Sequence, residues 1–484
     1  MSDVCHLNEQ KRSNNMSSIK FGTDGWRAVI GEDFIPENIG HVIQAFADIY
    51  PEVQDSGRPI FIGYDRRAQS KESAELIARI LIGNNIKTVL SEQFCPTPCV
   101  SWHVKTDRGT AGIMVTASHN PAEWNGIKFK ESYGGAASPE YTGPIEAQIE
   151  KNAKYNKKPI IGEPKGALFS TFNPHGAYIK SLKGWGNLQL IRDSKFKILA
   201  EPMYGSGTDF FPEFFDDAVT QIHTAADTSF GGIQPEPIIP NVNEAIDIMK
   251  TGKYDICLIT DGDADRIGAI DEKGNYVTSH FIFSLLLKHI VDSRKWKGKV
   301  IKSITTTQMI NRLCKIYELP LMTTPVGFKY ISPALNDANV LMGGEESGGI
   351  GIPRHVCERD GLLCGLLLTE MMAMRERRLS ELVGELQREV GPTAYKRIDM
   401  HLNKETIDKA RANIKERAAG IKDLCGMKVK TLDMIDGYHF LREDDSWLLI
   451  RPSGTEPLLR TYSEAKTIEE VEDILTEAKK IIGV

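Results

Sequence analysis

The chain has 484 residues and a mass of 53.9 kDa, too long for a single core, so roughly three or four domains are expected. With 41% hydrophobic and 26% charged residues the composition is ordinary for a soluble chain, and a net charge of −6 supplies no basic field for nucleic acid. The longest apolar runs, such as "FIFSLLL" at 281–287, fall far short of the about 20 residues that span a bilayer, so no membrane partner is expected either.

Residues 1–20 are polar, lack the apolar stretch of a signal peptide, and read as a tail. Eight cysteines are scattered along the chain, and only Cys95 and Cys99 in "FCPTPCV" lie close together. They lack a second ligand pair, so packing is the expected role and the reducing cytoplasm the expected compartment.

In "KFGTDGWRAVIGEDF" (20–34), Arg27 follows a glycine-rich turn, a weak signal by itself. A strand–loop–helix–strand pattern then occurs three times, at 59–90, at 196–218 followed by apolar "EPIIP" (236–240), and at 299–324. Such units build parallel or mixed sheets flanked by helices, here three related α/β domains. Linkers are expected at 150–166 and after a long helical segment, 360–392. Beyond it, a helix, two strands around a loop and a last helix suggest a fourth, α+β domain.

Four short stretches carry chemistry. "VTASHNP" (115–121) presents Ser118 after an apolar strand. It lacks the Gly-x-Ser-x-Gly elbow of a serine hydrolase, and the adjacent His119 is badly placed as a base for it, whereas a phosphate on Ser118 would fit. Lys128, ten residues on, is a candidate for proton transfer, or an ordinary salt-bridged lysine. In "LITDGDADRIGAI" (258–270) a strand runs into Asp261, Asp263 and Asp265, a carboxylate set suited to a hard cation such as Mg²⁺. An EF-hand is the competitor, since Glu272 takes the twelfth position, but Arg266 replaces the glycine at the sixth and a strand precedes the loop. "LMGGEESGGIGI" (341–352) lets the backbone approach a ligand around Glu345 and Ser347, which suit sugar hydroxyls, or is a plain glycine turn. "LLIRPSGTEPLLR" (448–460) offers Arg451, Ser453, Gly454 and Thr455 to a phosphate, or is a hairpin turn. Three carboxylates and a phosphate outweigh one Mg²⁺, so Arg27, Lys128 and Arg266 are the expected compensating cations.

Taken in order, "FGTDGWRA", "TASHNP…NGIK", "DGDADR", "GGEESGG" and "RPSGTEP" resemble the α-D-phosphohexomutase superfamily, and more narrowly bacterial and archaeal phosphoglucomutase/phosphomannomutase proteins. The resemblance spans about residues 20–465. It implies three mixed α/β domains and a TATA-binding-protein-like α+β domain around a central cleft, with limits at 21–165, 166–272, 273–388 and 389–484. It further implies Ser118 as the phosphorylated serine and Asp261, Asp263 and Asp265 as Mg²⁺ ligands, with the phosphoserine supplying another. Arg27 and Lys128 match active-site residues of the phosphotransfer end, Lys329 (in "PVGFKYI") matches a cleft lysine of the third domain, and all three, with His119, count among the implied catalytic residues. Arg266, Glu345, Ser347, Arg451, Ser453, Gly454 and Thr455 are placed on the substrate.

The implied reaction passes a phosphoryl group from Ser118 to a sugar monophosphate, lets the bisphosphate turn over, and returns the other phosphate to Ser118. Glucose 1,6-bisphosphate is then both intermediate and activator. The dual glucose/mannose and the glucosamine enzymes of the family end the sugar loop in histidine, where this chain has Gly349, and Ala28 replaces a commoner glycine. Glucose phosphate is therefore the expected substrate, with mannose, glucosamine and ribose phosphates as alternatives. A non-catalytic sugar-phosphate-binding relative and a Mg²⁺-dependent phosphatase are the readings from other classes. A monomer or homodimer is expected.

Overall fold

The computed structural model describes residues 19–22, 25–53, 57–452 and 458–483. Apolar β-rich runs collect into four sheets. The first is mixed, in the order β1 (Trp26–Val29), β5 (Trp124–Lys130), β4 (Ala111–Val115), β2 (Ile60–Tyr64), β3 (Thr88–Ser91) and β6 (Phe169–Phe172). The second runs β11 (Tyr276–Val277), β10 (Ile267–Asp271), β9 (Ile256–Thr260), β7 (Ile198–Glu201) and β8 (Val219–Gln221). The third runs β13 (Leu321–Thr324), β12 (Lys299–Ser303), β14 (Val340–Gly344) and β15 (Ile350–Gly351). The fourth is antiparallel: β16 (Ala394–His401), β21 (Leu458–Ala465), β20 (Trp447–Pro452), β19 (Tyr438–Arg442), β18 (Met427–Asp433) and β17 (Asp423–Leu424).

The first three sheets repeat one motif. A central strand (β2, β7, β12) is parallel to its two neighbours, and the later neighbour (β4, β9, β14) turns back into an antiparallel partner (β5, β10, β15). The loop of that last turn holds Ser118 in the first sheet, the three aspartates in the second, and Glu345 and Ser347 in the third. Each of these loops also contains one residue in the left-handed region: Ser118 (φ 54°), Ala264 (φ 54°) and Gly348 (φ 95°). Threefold repetition of one hairpin is what gathers the chemistry.

One apolar cluster joins the first three units, running from Phe61 and Val100 through Phe210 and Leu258 to Leu285 and Leu367. Its centre is the helix Gly361–Arg375, apolar on all sides and buried along nearly its whole length. Asp360 starts that helix, its carboxylate accepting the Leu363 amide at 2.9 Å, a cap worth about 1 kcal/mol. The fourth sheet has its own core under Lys404–Arg417 and Ile468–Ile482. It meets the third unit through a smaller cluster of Ile304, Trp447, Leu449 and Tyr462.

Several local expectations change. "EPIIP" forms no strand; the partner of β7 is β8, because Pro235, Pro237 and Pro240 leave that stretch short of amide donors. The helix Pro139–Lys154 runs into the expected linker at 150–166. The segment 360–392 is two helices, Gly361–Arg375 and Leu379–Val390, separated at left-handed Glu376. β6 and β11 lie past the expected limits at 165 and 272, yet pair with β3 and β10, since an open sheet edge captures the next extended segment. Among the described cysteines none is bridged; Cys425 is exposed and the others are buried. No helix among the described residues is long and apolar enough to cross a membrane.

Candidate active site

Ser118 is fully buried, and its Oγ donates to Asp261 Oδ2 at 2.9 Å. Its left-handed backbone costs about 1–2 kcal/mol and is held from two sides. Its amide donates to Thr116 Oγ1, and Thr116 in turn donates to Asp65. Arg67 donates to four carbonyls of the same loop: Ser118 (2.6 Å), Asn120 (2.6 Å), Pro121 (2.8 Å) and Trp124 (3.0 Å). Its Nε ion-pairs with buried Asp65 at 3.3 Å.

Asp261, Asp263 and Asp265 are fully buried, and one carboxylate oxygen from each falls within 4.8 Å of the others. Burial, followed by the two neighbouring carboxylates, pushes Asp261 well above the usual carboxylate range. Burial also opposes the charge on Asp263, but Lys128 and the Thr97 hydroxyl outweigh it and hold that carboxyl below its usual range. Lys128 Nζ lies 2.8 Å from Asp263 Oδ2 and 3.1 Å from Asp265 Oδ2. Thr97 donates its hydroxyl to Asp263 Oδ2 and its amide to the Asp263 carbonyl. Asp263 Oδ1 and Asp265 Oδ1 remain buried with no hydrogen-bond partner among the described residues. Two orphan oxygens beside the third carboxylate, all hard donors, can hold a divalent cation.

His119 lies amid cations. Burial, then Arg266, Arg27, Lys128 and Arg67, depress its imidazole well below the usual value and keep it neutral. The same four cations suit a phosphate beside Ser118. Arg27 donates to Asn120 Oδ1 at 2.6 Å, and Arg266 reaches Glu236 at 3.2 Å and Asp261 at 3.8 Å. In the third loop, Glu345 Oε1 accepts from Ser347 Oγ (2.8 Å) and Arg359 Nη1 (3.0 Å).

Ser347 and Glu346 also line a cavity of about 330 Å³, closed by Glu236, Ile238, Arg397 and Asp399. The sugar loop thus faces open space between the second and fourth units. Lys329 Nζ lies 3.5 Å from the Gly22 carbonyl. Arg451 ion-pairs with Asp436 at 2.9 Å, and Asp436 accepts the Val326 amide at 2.9 Å, tying the fourth unit to the loop just before the helix Phe328–Leu335 that carries Lys329. Ser453, Gly454 and Thr455 lie outside the described residues.

The structure therefore brings Ser118, His119, Arg27, Lys128, the three aspartates, Arg266, Glu345 and Ser347 together, while the contacts of Lys329 and Arg451 are with Gly22 and Asp436. Sequence reasoning passed over Arg67, Thr97, Asn120 and Arg359. Only Asn120 lay within a chemistry-bearing motif; the other three come from stretches with no local signature.

Three α/β units and an antiparallel α+β unit carry a buried serine set against an aspartate cluster, the makings of a site for a phosphate and a cation. The Phosphoglucomutase/phosphomannomutase alpha/beta/alpha domains I, II and III match residues 18–156, 176–274 and 278–390, and the C-terminal domain matches 404–481. A structure from Thermus thermophilus, provisionally named a phosphomannomutase, is 30% identical, covers 96% of this chain and 99% of its own, and superposes with a TM-score of 0.82. The Phosphoglucomutase/phosphomannomutase of Thermococcus kodakarensis is 28% identical over 96% of this chain and 98% of its own length. A Phosphoglucosamine mutase of Bacillus cereus (strain B4264) is 29% identical over 93% of this chain and 95% of its own. The chain belongs to the α-D-phosphohexomutase superfamily. It is a phosphohexomutase, an isomerase-type phosphotransferase.

Proposed function

We propose that this enzyme interconverts glucose 1-phosphate and glucose 6-phosphate through phosphorylated Ser118 and bound glucose 1,6-bisphosphate. The observation that carries the reading is Ser118 Oγ, 2.9 Å from Asp261 and next in the chain to His119, whose imidazole is depressed by burial and by Arg266, Arg27, Lys128 and Arg67. In the forward direction the bond from phosphorus to Ser118 Oγ breaks as a bond to the sugar hydroxyl forms. Lys128 acts here from its neutral form, taking the sugar hydroxyl proton and passing it to the departing Ser118 Oγ, and the second half-reaction runs the same transfer in reverse. Arg27 and Arg266 neutralise the phosphoryl oxygens, while neutral His119 adds a hydrogen-bonding partner without further charge. Mg²⁺ held by Asp261, Asp263 and Asp265 would polarise the phosphoryl group under transfer.

Glu345 and Ser347 accept and donate to the sugar hydroxyls, and the 330 Å³ cavity beside them gives the bisphosphate room to turn. Arg451, with Ser453, Gly454 and Thr455, holds the idle phosphate. Glucose rests on the Glu345–Ser347 pair and the bare Gly349. Mannose, glucosamine and ribose phosphates run on the same chemistry, and relatives are named for several of these sugars.

The test is a coupled assay with Mg²⁺ and a trace of glucose 1,6-bisphosphate, offering the four sugar 1-phosphates in parallel. Fastest isomerisation of glucose 1-phosphate is expected. Preference for another sugar overturns the substrate; release of free phosphate in place of an isomer overturns the mutase reading.

A further inference from the structure

Gly349 closes the sugar loop in a backbone conformation outside the left-handed region, so its glycine is not required by φ. It is required by space. A Cβ at this position would lie 2.1 Å from Cδ and 2.9 Å from Cγ of Arg359, and 3.1 Å from Glu345 Oε1. The stem of Arg359 fills the volume that a side chain at 349 would take.

From there the buried guanidinium forks. Nη2 donates to Asp265 Oδ2 at 2.5 Å and Nη1 to Glu345 Oε1 at 3.0 Å, while Nε faces Glu358 at 3.5 Å. The Phe328 ring lies 5.0 Å beneath its carbon, and Lys130 neutralises Glu358 at 2.6 Å. One planar cation therefore ties the metal loop of the second sheet to the sugar loop of the third, a task a lysine's single ammonium does less well.

Which oxygens it takes gives the bonds their meaning. Arg359 and Lys128 both donate to Oδ2 of Asp265, and buried Oδ1 has no hydrogen-bond partner among the described residues. Arg359 and Ser347 both donate to Oε1 of Glu345, and neither takes Oε2. We infer that Arg359 is a positioning residue that aims Asp265 at the cation and Glu345 at the sugar together, and that Gly349 is the vacancy that admits it. The inference rests on the proposed function for the sugar arm and on the aspartate cluster alone for the cation arm.

The test is a mutant cycle of Arg359→Ala, Gly349→Ala and the double variant, in the full-length enzyme, with Arg359→Lys as the conservative case. Each protein is measured for Mn²⁺ affinity by electron paramagnetic resonance without substrate, for kcat and KM on the sugar phosphate the wild type prefers, and for its unfolding midpoint. Arg359→Ala is expected to weaken Mn²⁺ binding by about 10- to 100-fold and to raise KM. Gly349→Ala is expected to do the same by displacing the arginine, and Arg359→Lys to restore part of both.

The double variant is expected to be no worse than Arg359→Ala, because the added methyl then meets no arginine stem. Additive losses, or a lower unfolding midpoint with Mn²⁺ affinity and KM unchanged, overturn the proposal. Should the Arg359 variants fail to fold, Gly349→Ala alone decides, since unchanged Mn²⁺ affinity and KM there overturn it. A wild type that turns over none of the four sugars defeats the proposed function, while the Mn²⁺ arm still decides whether Arg359 sets Asp265.

Discussion

Ser118 Oγ donates to Asp261 Oδ2 at 2.9 Å, so the serine proposed to carry the phosphate in one unit lies against the aspartate loop of the next. A phosphate on Ser118 would enter the same coordination space as the three carboxylates. Ser118→Ala is expected to abolish labelling of the protein by [³²P]glucose 1,6-bisphosphate and to reduce isomerisation to background, with Mn²⁺ affinity retained. Residual labelling at another residue would remove Ser118 from its proposed role.

Lys128 bridges Asp263 and Asp265. Lys128→Met is expected to lower kcat by about 10²–10⁴-fold, the range for loss of a positioned proton carrier, with a smaller change in KM. Equal loss with Lys128→Arg would point to proton transfer, because arginine keeps the charge but not the titration; full rescue by arginine would point to charge alone.

Arg67 holds the serine loop by four carbonyls and is paired with buried Asp65. Arg67→Met leaves that carboxylate uncompensated and is expected to cost about 3–5 kcal/mol in chemical denaturation. Adding Asp65→Asn is expected to recover part of the stability and little of kcat, since the loop carbonyls stay unheld. Recovery of kcat along with stability would sink the idea that Arg67 sets the serine.

Among the described residues, Asp263 Oδ1 and Asp265 Oδ1 have no hydrogen-bond partner. Chelation with EDTA is expected to remove activity and Mg²⁺ to restore it. At a hundredfold excess over Kd the cation adds about 2.7 kcal/mol to stability, read as a higher unfolding midpoint. Asp263→Asn is expected to erase that increment; an increment that survives in this variant would place the cation elsewhere.

Between the third and fourth units, His280 packs against Tyr395 at 4.4 Å and His439 against Trp447 at 5.1 Å. Burial, then the Lys302 ammonium, pushes each imidazole down to about 3. The folded state thus keeps both rings neutral where an unfolded chain takes up protons below about 6.5. Their stabilisation is complete above that pH and is lost as the pH falls toward 3, at up to about 1.4 kcal/mol per pH unit for each ring. His280→Phe is expected to make the fall of the unfolding midpoint between about pH 7 and pH 4 shallower. An unchanged slope would mean that His280 protonates in the folded state.

Much of this was legible in the chain. Short β-rich runs marked β2, β7 and β12, apolar residues at helical spacing marked the helices after them, and "DGDAD" and "TASHN" lie where a strand runs out into a turn. The misread places have physical reasons. "EPIIP" is apolar enough for a strand but lacks amide donors, and β6 and β11 are short strands whose sheet is chosen by whichever edge is open.

The sequence by itself determined the chemistry of each loop, because the groups that make a phosphoserine, a cation site or a sugar contact lie within a few residues of one another. Only the tertiary structure decided that these loops occupy the same turn of three repeated hairpins, and which distant groups orient them. Arg67 is 51 residues from Ser118, Arg359 is 94 from Asp265 and Thr97 is 166 from Asp263. A buried charge must find its counterpart wherever the folded chain brings one, and nothing in its own stretch of sequence records where that is.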